Sequence, residues 1–118
     1  MADRVLTWFV RGVLANNSVG TNVGEEYVLD ADYVPERVVL RSSTGVGTIT
    51  IDINDDGETI FNGVNPSVGQ GLREALWDVF LETQPYLLKD SIITLDVDSV
   101  SSSVAGANLT INLELNRA

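Results

Sequence analysis

Asp52-x-Asn54-x-Asp56-Gly57 is the part of this chain whose residue types and spacing come nearest to a chemical motif. Short oxygen-bearing side chains at alternate positions, followed by a glycine that permits a sharp bend, make up the first half of a calcium loop. The second half does not follow. The position that should carry the closing bidentate glutamate is Gly63. The first ligand also sits inside an alternating strand pattern rather than at the end of a helix. An exposed hairpin shows the same polar residues and turn glycine, and that is the preferred reading. Asp52, Asn54 and Asp56 remain the chain's one metal candidate.

Asp96 and Asp98 lie next to each other on one face of another alternating stretch. Paired carboxylates can act as acid and base in glycoside hydrolysis. Aspartates on the wet face of an outer strand equally serve to discourage edge-to-edge aggregation. No aromatic sugar platform lies nearby in sequence, so the solvated-strand reading is preferred. No catalytic residue, no enzymatic activity and no cofactor are expected. The large aromatics Trp8, Trp77 and Tyr86 are candidate interface anchors, because Trp and Tyr are enriched at interfaces. Trp77 leans that way because it sits beside, not on, an apolar stripe at helical spacing; Phe80 leans to the core. Arg37 and Arg41 flank an apolar strand and are expected to pair with part of the acidic excess.

Composition narrows the chemistry further. There is no cysteine and no histidine. Disulfides, thiolate metal sites and the serine–histidine and cysteine–histidine machineries are thereby excluded within one chain. Seventeen acids against seven bases give a net charge of −10, which repels phosphate backbones and makes nucleic acid an improbable partner. No apolar run approaches the roughly 18 to 20 residues that span a bilayer as a helix, so no membrane partner is expected. The N-terminal residues are not read as a signal peptide, and the sequons Asn16-Asn17-Ser18 and Asn108-Leu109-Thr110 are therefore given no weight. A chain of 118 residues is read as one domain, 1–118.

The elements that must hold these residues follow from period-2 alternation. Ile49, Ile51 and Ile53 alternate with Thr50, Asp52 and Asn54; Asp55-Asp56-Gly57 supplies a turn, and Thr59-Ile60-Phe61 starts the return strand. Ile93, Leu95 and Val97 face in along Ser91–Asp98, as do Leu109, Ile111, Leu113 and Leu115 along Asn108–Asn116. Val5–Val10 carries apolar residues on both faces. It is either covered twice or a sandwich strand with a large residue at its rim. Short strands are also expected at Glu26–Leu29 and Arg37–Arg41, with edge pairing near Val68 and Pro35 at a strand start or edge. Leu72, Ala75, Leu76, Val79 and Phe80 recur at helical spacing, which predicts a short helix over 72–81. A β segment at Trp77–Leu81 is the competing reading. The sum is an all-β chain, an antiparallel β-sandwich or jelly roll of about seven or eight strands.

Three stretches carry a resemblance: Trp8-Phe9-Val10-Arg11-Gly12, then ITIDINDDGETIF from Ile49, then KDSIITLDVDSVSSSVAGANLTINLEL from Lys89. Together they cover about half the chain, and they resemble small jelly-roll structural proteins of tailed-bacteriophage virions. The resemblance implies a jelly roll without catalytic residues, in a family that includes head decoration proteins, tail and baseplate parts and fibre tips. It implies most directly a capsid decoration or cement protein on the capsid surface. Its partners would be the major capsid protein and copies of itself, as a dimer or trimer. The alternative is a receptor- or carbohydrate-binding module of a tail or fibre. Leu72–Pro85 departs from the pattern and reads as an insertion or a distinct interface element.

Overall fold

The structure is a computed structural model that describes residues 2–13, 20–21, 23–42, 48–68, 73–81, 86–100 and 107–118. Among the described residues there are nine strands and no helix. They are β1 (Arg4–Val13), β2 (Tyr27–Val28), β3 (Tyr33–Arg41), β4 (Ile49–Asp55), β5 (Glu58–Thr59), β6 (Ser67–Val68), β7 (Glu74–Trp77), β8 (Ile92–Val100) and β9 (Ala107–Arg117).

Pairing follows a single plan. β1 pairs with β9, β2 with β8, β3 with β7, and β4 with β5 and β6, always antiparallel. The chain is thus doubled back on itself as one long ribbon whose bend is the β4–β5 turn. Two more pairings, β3 with β9 and β4 with β8, roll the ribbon into two sheets ordered β1-β9-β3-β7 and β2-β8-β4-β5. This is the arrangement of a jelly-roll sandwich. The strand count exceeds the expected seven or eight because one edge strand is broken. β5 opposes Asn54 and Asp55, while β6 opposes Ile49 and Thr50 on the same side of β4.

Alternation places the core. Leu6 and Trp8 on β1, Ile49, Ile51 and Ile53 on β4, Ile93, Leu95 and Val97 on β8, and Leu109, Ile111, Leu113 and Leu115 on β9 all point between the sheets and are buried. Each fully buried side chain of this size contributes about 1.5–3 kcal/mol. β1 is covered on one face only: Val5 and Phe9 are about half exposed. Pro35 lies on β3 beside a register shift and beyond the reach of β7, which pairs only with Val38–Arg41. Its missing N–H therefore breaks no ladder.

The sandwich is stitched along the β1 side by Tyr27. Its ring meets Trp8 edge-on and its hydroxyl donates to the Thr7 carbonyl, an acceptor on the outer β1 strand. Trp8 Nε1 donates to the Glu25 carbonyl at 2.8 Å. At one end of the sheets Asp30 accepts hydrogen bonds from Tyr33 and Arg4. The Tyr33 hydroxyl foremost, with Arg4 helping, holds the Asp30 carboxyl below its usual range.

The helix expected over 72–81 is not formed. Residues Glu74–Trp77 are β7, with Val38 opposite Trp77 and Arg41 opposite Glu74; Leu72 lies outside the described residues, as does Pro85. Ala75 and Trp77 turn inward while Glu74 and Leu76 turn out. The same residues satisfy a period of 2 as well as one of 3.6. The outer edge of β3 presents backbone groups that need partners, and a helix would leave them unpaired. The competing β segment at Trp77–Leu81 is met only in part. The strand ends at Trp77, and beyond it Phe80 forms an isolated bridge with Phe61.

Candidate functional site

β4 and β8 lie side by side, so their outward residues form the wet face of the second sheet. Asp52 stands directly opposite Asp96. Asn54 Nδ2 donates to Asp96 Oδ2 at 2.8 Å, and Thr59 Oγ1 donates to Asp52 Oδ1 at 2.6 Å. Asp98 is the extra residue where Val97 pairs with Ile51 and Ser99 with Thr50, and it accepts from Asn65 Nδ2 at 2.8 Å. Amides and a hydroxyl, all neutral donors, make these contacts. Asp96 and Asp98 thus each hold an amide partner rather than facing each other across a cleft.

Burial pushes the Asp52 carboxyl above the usual 3.8, and the nearby charges of Asp98 and Asp96 add to the rise; the Thr59 hydrogen bond opposes it. The folded state therefore holds this proton more tightly than the unfolded chain does. The stability linked to it is complete below pH 3.8 and is lost as pH rises through the raised value. Asp52→Asn keeps an oxygen for Thr59 and removes the charge. The variant is expected to melt higher than the parent near neutral pH, with the advantage vanishing under acid conditions; thermal melts across the pH range check this. Asp55 shifts the same way, raised by burial against the pull of a hydrogen bond from Ser91.

The three metal candidates do not converge. Asp52 and Asn54 ride an extended strand, where residues two apart are separated by about 6.6 Å, whereas a calcium loop curls its ligands around one point. Asp56 faces a different task. It adopts a positive φ of 50° in the turn, donates its N–H to the Ile92 carbonyl at 2.9 Å and accepts the Ile92 N–H on Oδ1 at 2.8 Å. Gly57 completes the turn at φ 87°, and a Cβ there would meet nothing within 4 Å. Gly57→Ala should therefore lose stability through backbone strain alone, by about 1–2 kcal/mol, read from the denaturant midpoint.

The aromatic candidates separate. Trp8 is 1% exposed, so its ring belongs to the core and offers no surface for a partner. Trp77 is half-buried on the inner side of β7, with Nε1 donating to the Val79 carbonyl at 3.2 Å. Tyr86 is half exposed beside Leu87, which bridges to Tyr33. Phe80 stacks on the buried Phe61 at 5.7 Å. Arg37 pairs with Glu114 and Arg41 with Glu74 on the outer face of the first sheet. Asn108 sits at the register shift between β1 and β9 with a positive φ of 52°, and the sequon at Asn16 and Asn17 lies outside the described residues.

Sequence reasoning singled out Leu72–Pro85 as an insertion or distinct interface element but missed the strand pairing that builds it. Residues 73–81 cross from one sheet to the other: β7 pairs with β3, then Phe80 bridges to Phe61 and the Leu81 N–H donates to the Ile60 carbonyl at 2.9 Å. Leu76 is 58% exposed and Val79 50%, and Val64, 62% exposed, lies in the loop that follows Phe61. Single exposed aliphatics are ordinary, whereas contiguous patches of them are a feature of contact surfaces. The helical spacing of Leu72–Phe80 hid the pairing of Glu74–Trp77 with β3. No family model matches this chain, and no curated protein matches it.

Proposed function

We propose that this chain is a structural virion protein of a tailed bacteriophage, most specifically a decoration or cement protein that binds the assembled head and stabilises it. The reading draws its setting from the resemblance of the early tryptophan strand, the DINDDG hairpin and the closing strand pair. The observation that carries it is the 73–81 flank, where Leu76 and Val79 stand exposed beside half-buried Trp77. Aliphatic groups around an aromatic anchor are what a docking surface requires. The partners are the major capsid protein and further copies of this chain, as a dimer or trimer on the capsid surface. Several weak contacts per oligomer then add through avidity. A protein that binds only the assembled shell stabilises it by mass action. The acidic face around Asp52, Asp96 and Asp98 would be left toward solvent.

The reading is tested by adding purified protein to heads that lack it. Saturable co-sedimentation at a fixed copy number, with a higher melting temperature of the shell, is expected. Binding to host cells without binding to heads would instead favour a receptor- or carbohydrate-binding module of a tail or fibre. That alternative calls for exposed aromatics gathered at one end of the sandwich. Phe9 and Tyr86, both about half exposed, instead lie toward opposite ends of β3: Phe9 shares partner Thr110 with Arg41, and Tyr86 adjoins the partner of Tyr33.

A further inference from the structure

A groove of about 390 Å³ opens where the outer face of the second sheet meets the β4–β5 turn, lined by Glu26, Asp56, Gly57, Ile92 and Thr94. Its size suits a small ligand. The strands explain how it forms. Ile92 and Thr94 are successive outward residues of β8, and Glu26 precedes β2, whose Tyr27 and Val28 pair with Ile93 and Ile92. The Asp56–Ile92 hydrogen bonds hold the turn against β8. Gly57 has no side chain to close the rim.

The polar groups here are acceptors awaiting donors. Glu26 makes no hydrogen bond or ion pair among the described residues. Asp56 uses Oδ1 on the Ile92 N–H, which leaves Oδ2 for another donor. Thr94 is only 9% exposed, yet its hydroxyl has no partner among the described residues, and it lines the groove. The hydroxyl oxygen itself is not a buried, unpartnered atom: it reaches the groove and is open to a donor there. Beside these acceptors stands an aliphatic wall. Ile92 is 41% exposed, and its cross-strand neighbour Val28 is 58% exposed. No lysine or arginine lines the groove.

We propose that this groove binds an alkylammonium group, with its charged head between Glu26 and Asp56 and its methylene stem along Ile92 and Val28. An ammonium carries three donors and no acceptor. Three acceptors meet it here: the Glu26 carboxylate, Asp56 Oδ2 and the Thr94 hydroxyl. A sugar would find hydroxyl partners but no aromatic ring to stack on, and two carboxylates select for positive charge. The chemistry is shared by a free amine and by the lysine side chain of a partner protein. The site uses none of Leu76, Trp77 or Val79, so its failure would leave the docking flank untouched.

The test is a titration of isotope-labelled protein with n-butylammonium chloride at constant ionic strength, followed by amide chemical shifts. Saturable shifts confined to Gly57, Ile92, Thr94 and their neighbours are expected. Glu26→Gln and Asp56→Asn should each weaken binding about tenfold. Asparagine tolerates the positive φ and keeps an oxygen for the Ile92 N–H, so the second variant retains the turn. Nα-acetyl-lysine methylamide binding as tightly as butylammonium would assign the site to a partner's lysine; butylammonium binding alone would assign it to a free amine. Equal shifts with tetramethylammonium, which has no N–H, or shifts spread over Asp52, Asp96 and Asp98, would overturn the proposal. So would a response to a neutral sugar alone.

Discussion

Replacing Trp8 by alanine is expected to lower the free energy of unfolding by about 3–5 kcal/mol, the range for deleting a large buried ring. The residue is 1% exposed and sits on the outermost strand of its sheet, where it joins β1 to the opposite layer. Three interactions end together in the variant. The cavity left by the ring has few neighbours free to collapse into it. The Tyr27 ring, 5.3 Å away and nearly perpendicular, loses the face it points at. The Glu25 carbonyl loses its donor. For a chain of this length the melting temperature should fall by about 10–20 °C. Trp8→Phe keeps part of the packing while removing the hydrogen bond and the five-membered ring, so an intermediate loss of about 1–3 kcal/mol is expected. Denaturant unfolding of both variants measures this. An alanine variant within about 1 kcal/mol of the parent would show that the two layers do not depend on this ring.

The second large effect concerns the 73–81 flank and rests on the docking role proposed for it. Leu76→Ser combined with Val79→Ser should weaken binding to assembled heads by about thirtyfold or more, since truncated anchor residues at interfaces cost about 1–2 kcal/mol each. Stability should change little, because both side chains are at least half exposed in the free chain. The paired readout is head co-sedimentation against the melting temperature of the isolated protein. Val5→Ser, which removes a comparably exposed aliphatic from β1, serves as the control and should bind heads as the parent does. Full binding by the double variant with an intact melt would remove this flank as the docking surface. Trp77 is left unchanged in the test because its ring is half-buried and its Nε1 bonds to Val79.

Both effects depend on how the chain divides between inside and outside, and the alternation along the chain carries part of that division. In β4, β8 and β9 every-other-residue apolar spacing placed the isoleucines and leucines inward, as found, whereas Asn54, Asp55 and Thr94 are buried despite their polarity. The reason is geometric: successive side chains on a strand point to opposite faces wherever the strand sits. The DDG turn was legible for the same kind of reason, since Asp56 and Gly57 tolerate the positive φ that the turn requires. Residues 73–81 were less legible. Their apolar positions fit two periods at once, and only the unpaired edge of β3 selects between them.

Alternation also could not say which apolar face of β1 is inside. Trp8 and Phe9 are adjacent aromatics, and burial of the first with exposure of the second depends on the side from which the other sheet approaches. The candidate sites divide in the same way. Residue spacing brought Asp52, Asn54 and Asp56 together on paper, whereas the extended strand spreads them and the turn engages Asp56 with Ile92. The groove at Glu26, Asp56 and Thr94 joins residues far apart in the chain, and nothing in their local sequence announces it. What local order dictates here is strand, turn and the sign of each face, because those follow from backbone stereochemistry over a few residues. The choice of partner strands, the broken edge at β5 and β6, the buried tryptophan and the groove arise only when the two sheets close, because each depends on backbone and side-chain partners brought in from distant parts of the chain.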